Sequence, residues 1–464
     1  MSKANLKQFN FLDRDSVMLK GKALRDTSPL QDHRILPPRP KRFSSMAVLK
    51  RSNKNRLADL IPIRYSRMLA SPFSFLRGSA ALMADDLSRT PSSGIYVQAC
   101  GDCHLLNFGA YATPERKLVF DINDFDETLP APWEWDIKRL AASFVVAAED
   151  NQLSKASAQR IAKTCVQSYR ENMRAYSKQS PLEVWYGHLD LAKFAKEAPN
   201  KTARLRREQL IRKAEKQVAE YLFPKITTEI NGDKRLIDNP PLIYHLDDKW
   251  IEKMGRPAVE SYRASLSNDR KVLFDRYQLK DIVVKVVGIG SVGTRCFVAL
   301  LMTPDGDPLL LQIKEARNSV LEPYAGKSEY EKHGERVVVG QRLTQSSSDI
   351  FLGWMRGPKG NDFYVRQLRD MKVSFSVQDI TPTRLRRYAV YCGQALARSH
   401  AKSGNAALIS GYLGKSDVFD EAVSMFAMEY AEQNKRDYEE LVLAAKTGSI
   451  IVAQPKPAAT GNKA

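Results

Sequence analysis

The sequence predicts an α+β fold in two lobes, a large helical one and a small one built on an antiparallel sheet, and three observations carry that prediction. Apolar residues Ile137, Leu140, Ala141, Phe144, Val145 and Ala148 recur at helical spacing, and a helical pattern continues over 153–222. From 281 the chain turns to short β-favouring runs, among them CFVALLM (296–302), which stops at Pro304 before an Asp305-Gly306 turn. Between 100 and 136 lie strand-like segments interleaved with acidic, amide and small residues. The boundaries that follow are a basic N-terminal arm at 1–56, a helical large lobe at 57–275, a small lobe at 276–375, C-terminal helices returning to the large lobe at 376–452, and a disordered tail at 453–464.

Bulk properties narrow the class. A chain of 464 residues that is 43% hydrophobic and 9% aromatic is globular rather than disordered. No apolar run approaches membrane-spanning length, and the first residues lack a signal-type apolar core, so a cytoplasmic protein without a membrane span is expected. Five scattered cysteines do not make a disulfide framework. A formal charge of +19 favours anionic partners: nucleotides, phosphorylated substrates, nucleic acid or acidic membrane. The first 56 residues hold 14 Lys or Arg against 4 Asp and read as an extended, solvated arm.

In chain order, 57–89 reads as helical and carries Arg77, which would bind either a phosphate or a neighbouring carboxylate. After the apolar run Ile95-Tyr96-Val97 comes CGDCHLLNFG (100–109), a Gly-bounded loop with Asp102 and Asn107 five residues apart. Residues Leu118 to Phe120 form a strand that delivers Asp121, with Asn123, Asp124 and Asp126 crowded behind it. Such crowding calls for a cation, and Mg²⁺ takes one or two carboxylates together with phosphate oxygens and water. Phosphoryl transfer needs an Asp as general base, an Asn five residues on for one metal ion and a later Asp for another. Asp102, Asn107 and Asp121, with Asp124 beside it, supply those parts in that order. Asp136 is expected to cap the helix that follows. The basic stretch Lys193 to Lys216 reads as a solvated helix, with a nucleic-acid or acceptor contact as the sharper alternative.

In the small lobe, Gly288, Gly290 and Gly293 form GxGxxG around Ser291. The spacing alone also fits a dinucleotide fold, but a β-favouring run rather than a helix follows it. Strand, glycine loop, strand, turn and strand with Lys314 is the order in which backbone amides cover phosphates and a lysine neutralises them. A helix over 334–346 offers Glu335, or else Gln341, to orient Lys314. A hairpin around 357–361 leads into Arg366 to Asp370, where the backbone near Gln367 would bind a nucleotide base. A helix from Pro382 to His400, the stretch GYLG and a last helical region end the ordered chain.

The loop at 100–109 and the strand ending in Asp121 resemble the catalytic and metal-binding loops of the aminoglycoside and choline kinase group, with Cys100 where those proteins carry a histidine. Over most of its length the chain is similar to the bacterial family called domain of unknown function 2252, placed among the protein-kinase-like folds. The stretches carrying that likeness are SPFSFLRG (71–78), CGDCHLLNFG, FDINDFDET (120–128), WEWDIKRLAAS (133–143), VGIGSVGTR (287–295), LQIKEA (311–316), GQRLTQ (340–345), YVRQLRDMK (364–372) and GYLG (411–414). The resemblance implies a kinase-like two-lobe fold in circularly permuted order, ATP and Mg²⁺ as cofactors, and phosphoryl transfer to an unidentified small-molecule or protein acceptor. In such kinases the counterpart of Asp136 steadies the catalytic loop. Adenylyl transfer, a catalytically silent nucleotide- or nucleic-acid-binding scaffold, and a nicotinamide enzyme on the glycine loop are the competing readings. A haem or zinc site on Cys100 and Cys103 lacks the export signal or the second ligand pair it would need.

Overall fold

The computed structural model describes residues 12–197, 200–215, 219–246, 248–357, 360–368 and 373–454. Helix α1 (Arg14–Ala23) begins at Asp13, whose side chain accepts from the Ser16 amide at 2.9 Å. Helices α2 (Ser45–Ser52), α3 (Ile61–Met68), α4 (Pro72–Gly78) and α5 (Ala80–Ser88) follow. Strands β1 (Tyr96–Ala99) and β4 (Leu129–Pro132) pair antiparallel, and β2 (Phe108–Ala112) pairs with β3 (Leu118–Ile122). Helices α6 (Trp133–Asp150) and α7 (Lys155–Tyr176) complete this part of the helical body.

Helix α6 is its axis. Every residue from Trp133 to Ala148 is buried, including Glu134, Lys138 and Arg139, so the helix is enclosed on all sides rather than on the single face its apolar spacing predicts. Trp133 stacks on Tyr169 of α7 with ring centroids 5.5 Å apart.

The second body is a six-stranded antiparallel sheet. Its strands are β5 (Ile243–His245), β6 (Gln278–Lys285), β7 (Cys296–Met302), β8 (Pro308–Ala316), β9 (Gly353–Arg356) and β10 (Asp362–Gln367), in the spatial order β9-β10-β8-β7-β6-β5. Along β7, Phe297, Ala299 and Leu301 join one apolar cluster while Val298 and Leu300 join another. Alternate residues face opposite sides, and both sides are covered, which is why CFVALLM is apolar throughout. Cys296 pairs with Lys314, and β7 follows the glycine loop directly; the helix near Gly290 that a dinucleotide fold requires does not form. Helix α8 (His333–Thr344) precedes β9, and α9 (Pro382–Ser403), α10 (Ala406–Leu413) and α11 (Val418–Lys446) return to pack around α6 and α7.

Two sequence boundaries are corrected. The sheet body starts before 276, because β5 pairs with β6, and the helix Asp248–Ser265 packs against β9. The expected arm is, from Arg14 onward, a folded strap. A Cβ on Gly21 would lie 2.2 Å from the Leu408 carbonyl, and one on Gly411 2.2 Å from that of Met18, so α1 and α10 meet backbone to backbone. Arg39 is held by both Asp86 and Asp437, at 2.6 Å each. The extreme N-terminus and most of the expected tail lie outside the described residues. No described helix is long and apolar enough to cross a membrane.

Candidate active site

The loop that carries Asp102 is fixed from α6. Asp136 does not cap that helix, whose N-cap is Pro132; its carboxylate accepts instead from the amides of Cys100 at 2.7 Å and Gly101 at 3.0 Å. His400 of α9 approaches the same carboxylate at 3.2 Å. Gly101 has φ +84°, and a Cβ there would fall 2.3 Å from the Glu127 carbonyl, so only glycine lets the loop pass this close. Cys100, Cys103 and Asp136 lie within 4.8 Å of one another. The Asp136 oxygens are already committed to amides, and burial pushes the Cys103 thiol up to about 12, so the trio packs the loop rather than offering a ready ligand set.

Asp102 gives one oxygen, Oδ1, to Arg139, which reaches it through Nε at 2.8 Å and through Nη2. Among the described residues its Oδ2 comes within ion-pair distance of His104 alone, at 4.0 Å, and 21% of the side chain stays exposed. Burial pushes this carboxyl up to about 6 against the opposing pull of Arg139. Burial, then Arg77 and Arg139, hold His104 well below the ordinary imidazole range, so it is neutral. Asn107 donates its amide nitrogen to the Asp102 carbonyl at 2.6 Å, leaving its side-chain oxygen as an acceptor.

Asp121, expected to hold metal, does not line this cavity. Its carboxylate is fully buried and accepts from Arg398 at 2.7 Å and from the Ser346 amide at 2.8 Å. Arg398 lies far along the sequence, which is why strand spacing alone assigned Asp121 to metal. The acidic residues of this run that reach the cavity are the next ones, Asp124, Asp126 and Glu127. Of these, sequence reasoning left both Asp126 and Glu127 without a role, and Asp126 is the one that reaches the sheet. It accepts from Lys314 at 2.7 Å through Oδ2 and from the Tyr364 hydroxyl at 2.6 Å through Oδ1.

Lys314 is 3% exposed on β8, and its ammonium lies 3.9 Å from Asp124. Burial works against its charge, but Asp124 and Asp126 together hold its pKa well above the ordinary value. Its partners are therefore these aspartates and neither Glu335 nor Gln341; Gln341 bonds Gln345 at 2.8 Å, and Glu335 is half-buried elsewhere on α8. The neighbour Arg336 supplies the link from α8, donating to the carbonyls of Asp126 and Arg317 at 2.8 Å each and to that of Thr128. Gln367 stands apart from the cavity. Its amide donates to Asp349 at 2.5 Å and is not free for a nucleotide base, while 369–372 lie outside the described residues.

The glycine loop closes over the acidic one. Ser291 Oγ lies 3.3 Å from Asp126 Oδ2, and Gly288 and Gly293 adopt φ +67° and +87°. Arg67 donates to the Gly288 carbonyl at 2.5 Å, and the Leu57 amide to that of Gly293 at 2.8 Å, which ties the loop to the helical body. Asp102, Asn107, Asp124, Gly288, Gly290 and Ser291 all line one cavity of about 650 Å³. Gly293 stands behind it, where a Cβ would meet the Arg56 side chain at 3.1 Å.

Fold and site together define an α+β protein whose polar cleft lies between a helical body and an antiparallel sheet. The chain belongs to the family described as "Uncharacterized protein conserved in bacteria (DUF2252)", which matches residues 56–444. No curated protein and no solved structure matches it.

Proposed function

We propose that this cleft binds ATP with Mg²⁺ and transfers a phosphoryl group to an acceptor, in a kinase-like two-lobe arrangement whose motifs run in circularly permuted order. The observation that carries the reading is the meeting of Asp102, Asn107, Asp124 and the glycine loop on one cavity, although the two sets of residues come from distant parts of the chain. Permuted order is compatible with such a site, because chemistry depends on positions in space.

Asp102 fits the general base. Arg139 fixes one of its oxygens, the other is open, and a pKa of about 6 leaves it ionised at neutral pH yet able to take a hydroxyl proton. Asp124 and the Asn107 side-chain oxygen fit the hard oxygen donors that Mg²⁺ takes, and the ion would neutralise charge on the phosphates when bound. Gly288, Gly290 and Ser291 line the cavity, where backbone amides of the loop would cover the phosphates, and Asp136 and Asn107 brace the loop that carries Asp102.

The Lys314 to Asp126 ion pair favours a second reading, a nucleotide-binding scaffold without turnover, because the ammonium expected on the phosphates is engaged by a carboxylate. Incubation with ATP labelled at the γ or the α position separates these cases. Transfer of γ label supports the kinase reading, transfer of α label identifies an adenylyl transferase, and binding without transfer of either identifies the scaffold.

A further inference from the structure

One wall of the cavity carries guanidinium groups that have no carboxylate partner within ion-pair distance among the described residues. Arg64, 2% exposed, donates to Asn53 Oδ1 at 2.5 Å and to the Gly78 carbonyl at 2.7 Å, both neutral, and its Nε is buried without a partner. Arg56 donates to the carbonyls of Ser52 at 3.0 Å and Val292 at 2.5 Å. Arg317 donates to the Lys54 carbonyl. Arg77 makes no hydrogen bond or ion pair among the described residues, and its Nε is also buried and unpartnered.

Several carboxylates on the same cavity are engaged by other cations. Asp102 is held by Arg139, Asp126 by Lys314 at 2.7 Å and Glu315 by Arg295 at 3.0 Å. Glu127, which acts on Arg56 electrostatically, accepts from the Val320 amide at 2.7 Å, and burial pushes it up to about 7. Burial, followed by repulsion from Arg64 and Arg317, holds Arg56 well below its ordinary pKa. Guanidinium groups taken out of water and left with neutral acceptors are unfavourable unless an anion joins them.

We propose that this wall binds an anionic group of the acceptor, a phosphate or carboxylate that Arg77 and Arg317 hold beside Asp102. The inference rests on the phosphotransferase reading for the acceptor's role, and adds its chemical class. Arginine suits such a group because its planar fork matches two oxygens of either anion. Arg77 is also the link to the transfer centre. Asp102 and Asp124 both act on its charge, and its carbonyl lies 3.2 Å from where a Cβ on Gly290 would be.

The other source of such an anion is the terminal phosphate of the nucleotide itself, and calorimetric titration of the full chain with inorganic phosphate separates the two. Titrations are run with and without saturating Mg²⁺ and a non-hydrolysable ATP analogue. Phosphate is expected to bind in both cases. Arg77→Met and Arg317→Met are each expected to weaken it roughly tenfold or more, the loss of a charge-assisted hydrogen bond, with unchanged melting temperature. Arg436→Met, on the exposed side of α11, serves as the charge control and is expected to leave it unaltered. Absence of phosphate binding, its disappearance once the analogue is bound, or equal affinity in the cavity variants and the control would each overturn the proposal. Phosphate binding without any binding of the analogue would support the anion site and reject the nucleotide reading.

Discussion

Arg398 and Asp121 form an ion pair at 2.7 Å in which neither side chain has any exposed surface. The same Arg398 nitrogen donates to the Thr344 carbonyl at 2.7 Å, so one contact joins β3, α8 and α9 immediately behind the acidic loop. Asp121 thereby sets where Asp124 and Asp126 emerge, without facing the cavity itself.

Asp121→Ala is accordingly expected to act on stability. Removing one partner of a buried ion pair strands the other charge, which costs about 3–5 kcal/mol. Urea unfolding should show that loss, and joint replacement by Asp121→Leu and Arg398→Met should recover part of it. A variant with normal stability but weakened Mg²⁺-nucleotide binding would return Asp121 to the metal site.

Asp102→Asn is expected to reduce turnover by roughly 10²- to 10⁴-fold, the usual contribution of a positioned base, with nucleotide affinity nearly unchanged. In the parent protein activity should fall as pH drops through about 6, because a base works only when ionised. Stability runs the other way. The folded carboxyl binds its proton more tightly than the unfolded one, so the contribution of Asp102 favours folding below the ordinary carboxylate range and is lost as pH rises through about 6. A pH profile with no break in that region, or full turnover by the variant, would contradict the assignment.

Asp126→Asn weakens the contacts to Lys314 and Tyr364 that join the sheet to the acidic loop. Hydrogen bonds to charged groups contribute about 1.5–3 kcal/mol, and a loss of that size in chemical denaturation is expected. An unchanged unfolding midpoint would mean that other contacts hold the two bodies together.

Gly101→Ala sets a methyl group 2.3 Å from the Glu127 carbonyl at φ +84°. Left-handed backbone alone disfavours alanine by about 1–2 kcal/mol, and the backbone contact adds to it. Lower thermal stability together with lost turnover is expected; a fully active, fully stable variant would show that the loop has room the structure does not contain.

Some of this molecule was legible in the residues alone. That Asp102 and Asn107 share one loop was readable because their spacing is local, and so were the strand, glycine loop and strand around Gly288, because β-favouring runs and turn residues report on their own neighbourhood. The helix at Pro382 and the hairpin of β9 and β10 follow from the same short-range signals.

What the sequence determined by itself is therefore the order of the elements around its two loops and the loop that holds Asp102, since helix and strand periods and turn chemistry act over a few residues. Tertiary structure alone decided which aspartate faces the cavity, that Lys314 pairs with Asp126 rather than Glu335, and that the basic N-terminal segment is a strap. In an acidic run such as FDINDFDE each carboxylate is locally equivalent. The choice falls to whichever distant cation reaches it, Arg398 for Asp121 and Lys314 for Asp126, and burial then fixes the pairing because an unpaired charge there is too unfavourable to persist.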